Sequence, residues 1–171
     1  MAIQQSVSGP LAASDRDLIG GALQATLVDL LDLSLVAKQA HWNLVGRQFH
    51  DVHLHLDELV GTSRRYADEV AERAAALGVT PDGRASAVAA GSTLPEFPAG
   101  WVEDRDAIRR IFEAVDVVAR RLRPRIDEAD KADRVTQDLF IEIVRDLEKA
   151  RWMWQAQSLG EVLSAPDTPA R

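Results

Sequence analysis

His41–Glu72, HWNLVGRQFHDVHLHLDELVGTSRRYADEVAE, is the stretch whose reading decides the fold and the chemistry of this chain. It contains all four histidines of the protein: His41, His50, His53 and His55. It also carries His53/Asp57 and Asp68/Glu72, each spaced i,i+4. On a helix that spacing stacks two side chains on one face, so each pair is half of a metal site. The competing reading is equally simple: acids on helices usually face water, and a histidine is usually a core or surface residue. The chain has no cysteine, which leaves oxygen and imidazole as ligands. Such a set suits iron, manganese or zinc better than copper(I) or an iron–sulfur cluster.

Working outward, the flanking sequence reads as long helices joined by one long crossover. Ser14-Asp15-Arg16-Asp17 puts a capping serine before first-turn acids. Leu18, Leu23, Leu27, Leu30, Leu31, Leu35 and Ala40 then recur at helical spacing, predicting a first helix to about Asn43. Gly46 marks a turn, and a second helix runs from about Phe49 to Leu77 with Gly78 as its stop. Residues 79–100, with three prolines and three glycines, form a long crossover holding one short helix near Arg84 to Ala90. A third helix covers about Trp101 to Asp127, with Ile108, Ile111, Phe112, Val115, Val118 and Leu122 on its apolar stripe and Pro124 kinking or ending it. The fourth begins near Asp133 and stops at Gly160. The expected architecture is all-α: a ferritin-like four-helix bundle over residues 14–160, with a long connection between helices two and three. Residues 1–13 and 161–171 read as a flexible N-terminal tail and a short C-terminal tail.

One copy of the second helix cannot close a metal site. His53/Asp57 and Asp68/Glu72 share roughly one face, but Asp57 and Asp68 lie about 16 Å apart along the axis. Metal–ligand bonds are about 2 Å. Two copies crossing antiparallel about a two-fold axis can close it, because residue i then faces residue j with a constant total. The pairs 53 with 72 and 57 with 68 share the total 125, which puts the dyad at Gly61-Thr62-Ser63. Small residues there let two backbones approach. A two-fold interface makes two identical sites, each with His53 and Asp57 from one chain and Asp68 and Glu72 from the other. The turn at Gly46 folds His41 back to its own chain's His53. Two imidazoles and three carboxylates suit Fe(II). His50 and His55 have no partners at the matching positions, Ala75 and Val70, and read as surface or interface residues.

KQAHWNLVGRQFHDVHLHLDELV followed by ADEVAERAAALG resembles the Dps family, the DNA-binding proteins from starved cells or mini-ferritins. LDLSLVAKQAHWN, TLPEFP and DRVTQDLFIEIVRDLEKARWMWQAQ extend the resemblance over roughly residues 14 to 160. The resemblance implies a hollow homo-dodecamer of four-helix bundles with ferroxidase sites at two-fold interfaces. It implies His41, His53 and Asp57 from one subunit and Asp68 and Glu72 from its mate as ligands, and oxidation of Fe(II) to Fe(III), preferentially with hydrogen peroxide, followed by storage of ferric mineral. Trp42 would lie beside the site as a radical trap, unless it packs on the core. Pores on three-fold axes would use Asp138 and Asp133. Their alternatives are a first-turn acid and an N-cap, and Arg134 stands where an acid is frequent.

Composition bounds the rest. Apolar residues make up 46% and charged residues 27% of the 171, an ordinary globular balance. The net charge of −7 and pI of about 5.1 repel nucleic acid. Twelve copies would carry −84, and the tails hold only Arg171 as a cation, so DNA binding is expected to be weak or absent. The start of the chain lacks the basic and apolar regions of a signal peptide. No uncharged apolar run approaches the roughly 20 residues a membrane span needs. A cytoplasmic location follows, with the nucleoid as a sub-location if DNA is bound. Two other functions compete: a nucleoid-associated protein that protects DNA by binding it, and a di-metal enzyme acting on an organic substrate. The second would need in-chain Glu-x-x-His pairs, which are missing.

Overall fold

A computed structural model describes residues 7–162 of the chain. In order they form helix α1 (Ala13–Asn43), strand β1 (Leu44–Val45), helix α2 (Phe49–Ala76), short helix α3 (Ala85–Gly91), strand β2 (Val102–Glu103), helix α4 (Asp104–Ala132) and helix α5 (Arg134–Val162). The four long helices are the expected bundle, and α3 lies in the expected crossover. α1 packs along α2, α4 along α5, and α1 also against α4. Their shared core includes Leu23, Leu30, Leu33, Leu56, Tyr66, Ile108, Ile111, Phe140 and Trp154, all fully buried.

Five boundaries differ from the sequence reading, each for a physical reason. α1 starts at Ala13 with no side-chain cap, so Ser14 lies inside the first turn. Residues 7–12 include a packed segment: a Cβ on Gly9 would stand 2.1 Å from the Leu77 carbonyl oxygen, and Leu11 packs on the core. The tail residues 1–6 and 163–171 lie outside the described residues. Pro124 does not end its helix; α4 runs on to Ala132, because buried Leu122 and Ala129 keep both sides of the proline on the core. Gly160 does not stop α5, which continues to Val162, a glycine within a helix costing only about 1 kcal/mol. Finally, α4 begins three residues after Trp101, because Val102 and Glu103 are taken by a two-residue parallel bridge to Leu44 and Val45.

α1 is long and apolar enough, by length and composition, to cross a membrane, although most of its apolar window is buried in the bundle. It is a core helix crossed by polar clasps. Buried Asp29 pairs with Arg121 at 2.6 Å and Arg125 at 2.9 Å from α4. Arg121 also donates to the Thr93 hydroxyl at 2.6 Å, which fastens the crossover to the bundle.

Candidate metal centre

His41 is in the last turn of α1 and His53 in the second turn of α2. The connection between them is only residues 44–48, so the two rings meet face to face. Their centroids are 3.6 Å apart with planes 23° from parallel. His41 Nδ1 lies 3.1 Å from the His53 carbonyl oxygen, and His53 Nδ1 lies 3.2 Å from the His41 carbonyl oxygen. A carbonyl can only accept, so each Nδ1 carries the hydrogen and each Nε2 keeps its lone pair. This reciprocal bond fixes both rings in the tautomer that a metal needs. Burial pulls the His41 imidazole below its ordinary 6.5, against the hydrogen bond to the His53 carbonyl, which raises it.

Asp57 stands one turn after His53, with Oδ1 3.4 Å from His41 Nδ1. Ligand atoms of His41, His53 and Asp57 all lie within 4.8 Å of one another. Lys38, one turn before His41, reaches the same Asp57 Oδ1 at 2.5 Å. Its hydrogen bond, more than the nearby histidines, holds the Asp57 carboxyl below the usual range. The sequence reading missed Lys38, though its three-residue offset from His41 was a usable signal.

The other predicted pair is elsewhere in the chain. Asp68 and Glu72 are exposed and make no ion pair among the described residues. They share the outward face of α2 with Gly61, where an added Cβ would meet nothing within 4 Å. One chain thus brings together three of the five predicted ligands and leaves two on an open face.

The remaining predicted residues separate cleanly. Asp133 is 8% exposed, and its carboxylate accepts hydrogen bonds from the backbone N–H of Val135 and Thr136, from the Thr136 hydroxyl and from Arg73 at 2.6 Å. Burial alone would raise this carboxyl, but these bonds and the Arg73 charge hold it below the usual range. Within the single chain Asp133 is therefore a helix cap clasped by α2. Asp138 is exposed on α5. Trp42 is 63% exposed, which removes core packing within the chain as its role. His50 is exposed, whereas His55 is half-buried and stacks on Trp154 at 4.0 Å, a contact that the sequence reading did not foresee.

A ferritin-like domain model matches residues 21–158. The DNA protection during starvation protein of Agrobacterium fabrum is 36% identical over 147 residues, covering 85% of this chain and 91% of that protein. The chain belongs to the Dps family. The DNA protection during starvation protein 2 of Deinococcus radiodurans is likewise 36% identical, and the Dps chain aligns with 56% of its length. Among solved structures, Dps from Microbacterium arborescens in its high iron form superposes with a TM-score of 0.84 at 32% identity, covering 88% of this chain and 98% of that one.

Proposed function

We propose that this Dps protein is a ferroxidase and iron-storage protein whose catalytic site is completed by a second copy of the chain. The observation that carries the reading is the half-site: two stacked imidazoles, held through their Nδ1 atoms, with Asp57 beside them, on a helix that also exposes Asp68, Glu72 and a bare Gly61. Antiparallel pairing of two α2 helices about residues 61–63 brings Asp68 and Glu72 of one chain to His41, His53 and Asp57 of the other. Fe(II) is the substrate of this site. Hydrogen peroxide takes one electron from each of two Fe(II) ions and two protons from the medium, giving two Fe(III) and two waters with no free radical. The ferric product is stored as mineral inside a dodecamer, with Asp138 as the acid lining an entry pore and Trp42 as a trap for stray oxidising equivalents.

The names of the relatives speak of DNA protection. In this chain we attribute protection to removal of Fe(II) and peroxide in the cytoplasm, not to binding. A net charge of −7 per chain opposes the phosphate backbone. Plasmid DNA should show no gel shift with metal-free protein at ~0.15 M salt.

The deciding experiment is anomalous scattering from Fe(II) soaked into crystals of the assembled protein, with peroxide consumption followed in parallel. Iron is expected between His53 of one chain and Glu72 of the next. An Asp68→Ala/Glu72→Ala variant that still oxidised iron at the full rate would refute the assignment, as would a stable monomer with full activity.

A further inference from the structure

The two histidines can stack only if α1 and α2 keep one axial offset, since each residue of slippage moves a ring by about 1.5 Å. That offset is set by residues 44–48, and the groups that fix this connection come from the far end of the crossover. Leu44 and Val45 are bridged to Val102 and Glu103. Gly46 has φ +135, a conformation closed to other residues, and a Cβ there would meet Asp104 Oδ2 at 2.3 Å. Gln48, the residue before α2, has no side-chain cap of its own. Its backbone N–H donates to Asp104 Oδ2 at 2.8 Å, while Asp104 Oδ1 accepts from the N–H of Arg105 at 2.8 Å.

In a capping box the acid three residues into a helix accepts from the N–H of the capping residue. Here the acid that does this for α2 is the first residue of α4, fifty-six positions away in the chain. We infer that Asp104 is a positioning residue of the metal centre: by accepting from the Gln48 N–H, close against Gly46, it fixes the register in which His41 and His53 face each other. This rests on the reading of His41 and His53 as metal ligands. Asp104 itself touches neither ring.

The test uses assembled, full-length protein with Co(II) as the probe, read by its visible absorption bands and by competition with a chelator. Asp104→Ala is expected to weaken Co(II) binding about tenfold, the scale of losing a group that orients a metal ligand, and to shift the Co(II) bands. Asp104→Asn can keep one oxygen acceptor for the Gln48 N–H, losing only the bond from Arg105, and should restore most of both. Glu148→Ala, which breaks the Arg123 ion pair between α4 and α5, should leave the bands unmoved. Co(II) affinity and bands unchanged in Asp104→Ala would overturn the inference, and so would equal loss in the Ala and Asn variants. Should Asp104→Ala fail to fold, Asp104→Glu shifts the acceptor by one methylene. Weaker binding in that variant supports the role and unaltered binding overturns it. Wild-type protein that takes up no Co(II) would instead sink the metal-centre reading, and that result is visible before any substitution is made.

Discussion

A two-fold site shared between chains makes a quantitative prediction for mixed assemblies. Take one variant with His53→Ala/Asp57→Ala and another with Asp68→Ala/Glu72→Ala. Each alone spoils every site of its own homodimer. In a dimer containing one of each, the first chain supplies intact Asp68 and Glu72 to the second chain's intact His53 and Asp57. The other site of that dimer inherits all four substitutions. Random pairing at equal expression makes half of the dimers mixed, and each mixed dimer keeps one of its two sites. Co-expressed protein should therefore recover about a quarter of the wild-type rate of peroxide-driven Fe(II) oxidation, from parents that have almost none. Neither substituted pair is in the core, so each chain should fold, and assembly in the presence of Fe(II) can be checked by size. A mixture no more active than its parents would refute the shared site. So would a parent that is fully active alone.

Other expectations follow from individual contacts. Gly61→Leu should leave the isolated chain at least as stable, since the new side chain has open space and glycine costs about 1 kcal/mol in a helix; chromatography should nevertheless show loss of the dimer. Asp133→Ala leaves Arg73 half-buried without its partner and removes the cap of α5, and should cost about 3 kcal/mol in chemical denaturation. Because the folded Asp133 carboxyl is held below its ordinary 3.8, its contribution is intact above that pH and is lost as pH falls through the lower folded value, so the difference from the variant should shrink in acid. His41 has the opposite character. Its folded pKa lies below 6.5, so the unfolded chain protonates first, and stability should fall as pH drops through 6.5 and level off below the folded pKa; thermal melts of His41→Gln should lack this component.

The sequence was most informative where a periodic signal existed. Helical spacing located the four long helices, and the spacing of four side chains along α2 pointed to a site that one chain cannot finish. It was least informative where the chain's own neighbours decide nothing. Pro124 and Gly160 read as breaks, yet Leu122, Ala129 and the packing of α4 on α5 outweigh the local preference. Asp133 read equally as pore or cap until Arg73, sixty residues earlier, came to it in space. Asp104 carried no signal at all, because its partners are a backbone N–H and a glycine far away in the chain. Lys38 was a different case: its position one turn from His41 was legible, but an ammonium binds no metal, so ligand spacing does not point to it.

Asp68 and Glu72 have a consequence for how the protein holds itself together. In the half-site on α1 and α2 the Asp57 carboxylate is already offset by Lys38, which leaves a charge-balanced pair. On the proposed pairing, each dimer contact presses two uncompensated carboxylates against that neutral patch, twice over. Without cations the lost hydration of these carboxylates opposes association; Fe(II) bound between them and the half-site offsets that cost. Since an ion that binds only the paired form favours pairing by mass action, ferrous iron is then a structural ligand as well as a substrate. The subunit dissociation constant should fall as free Fe(II) rises and climb when a chelator is added. A cell short of iron would hold a looser population of shells, and an influx of the metal would tighten the very container that receives it.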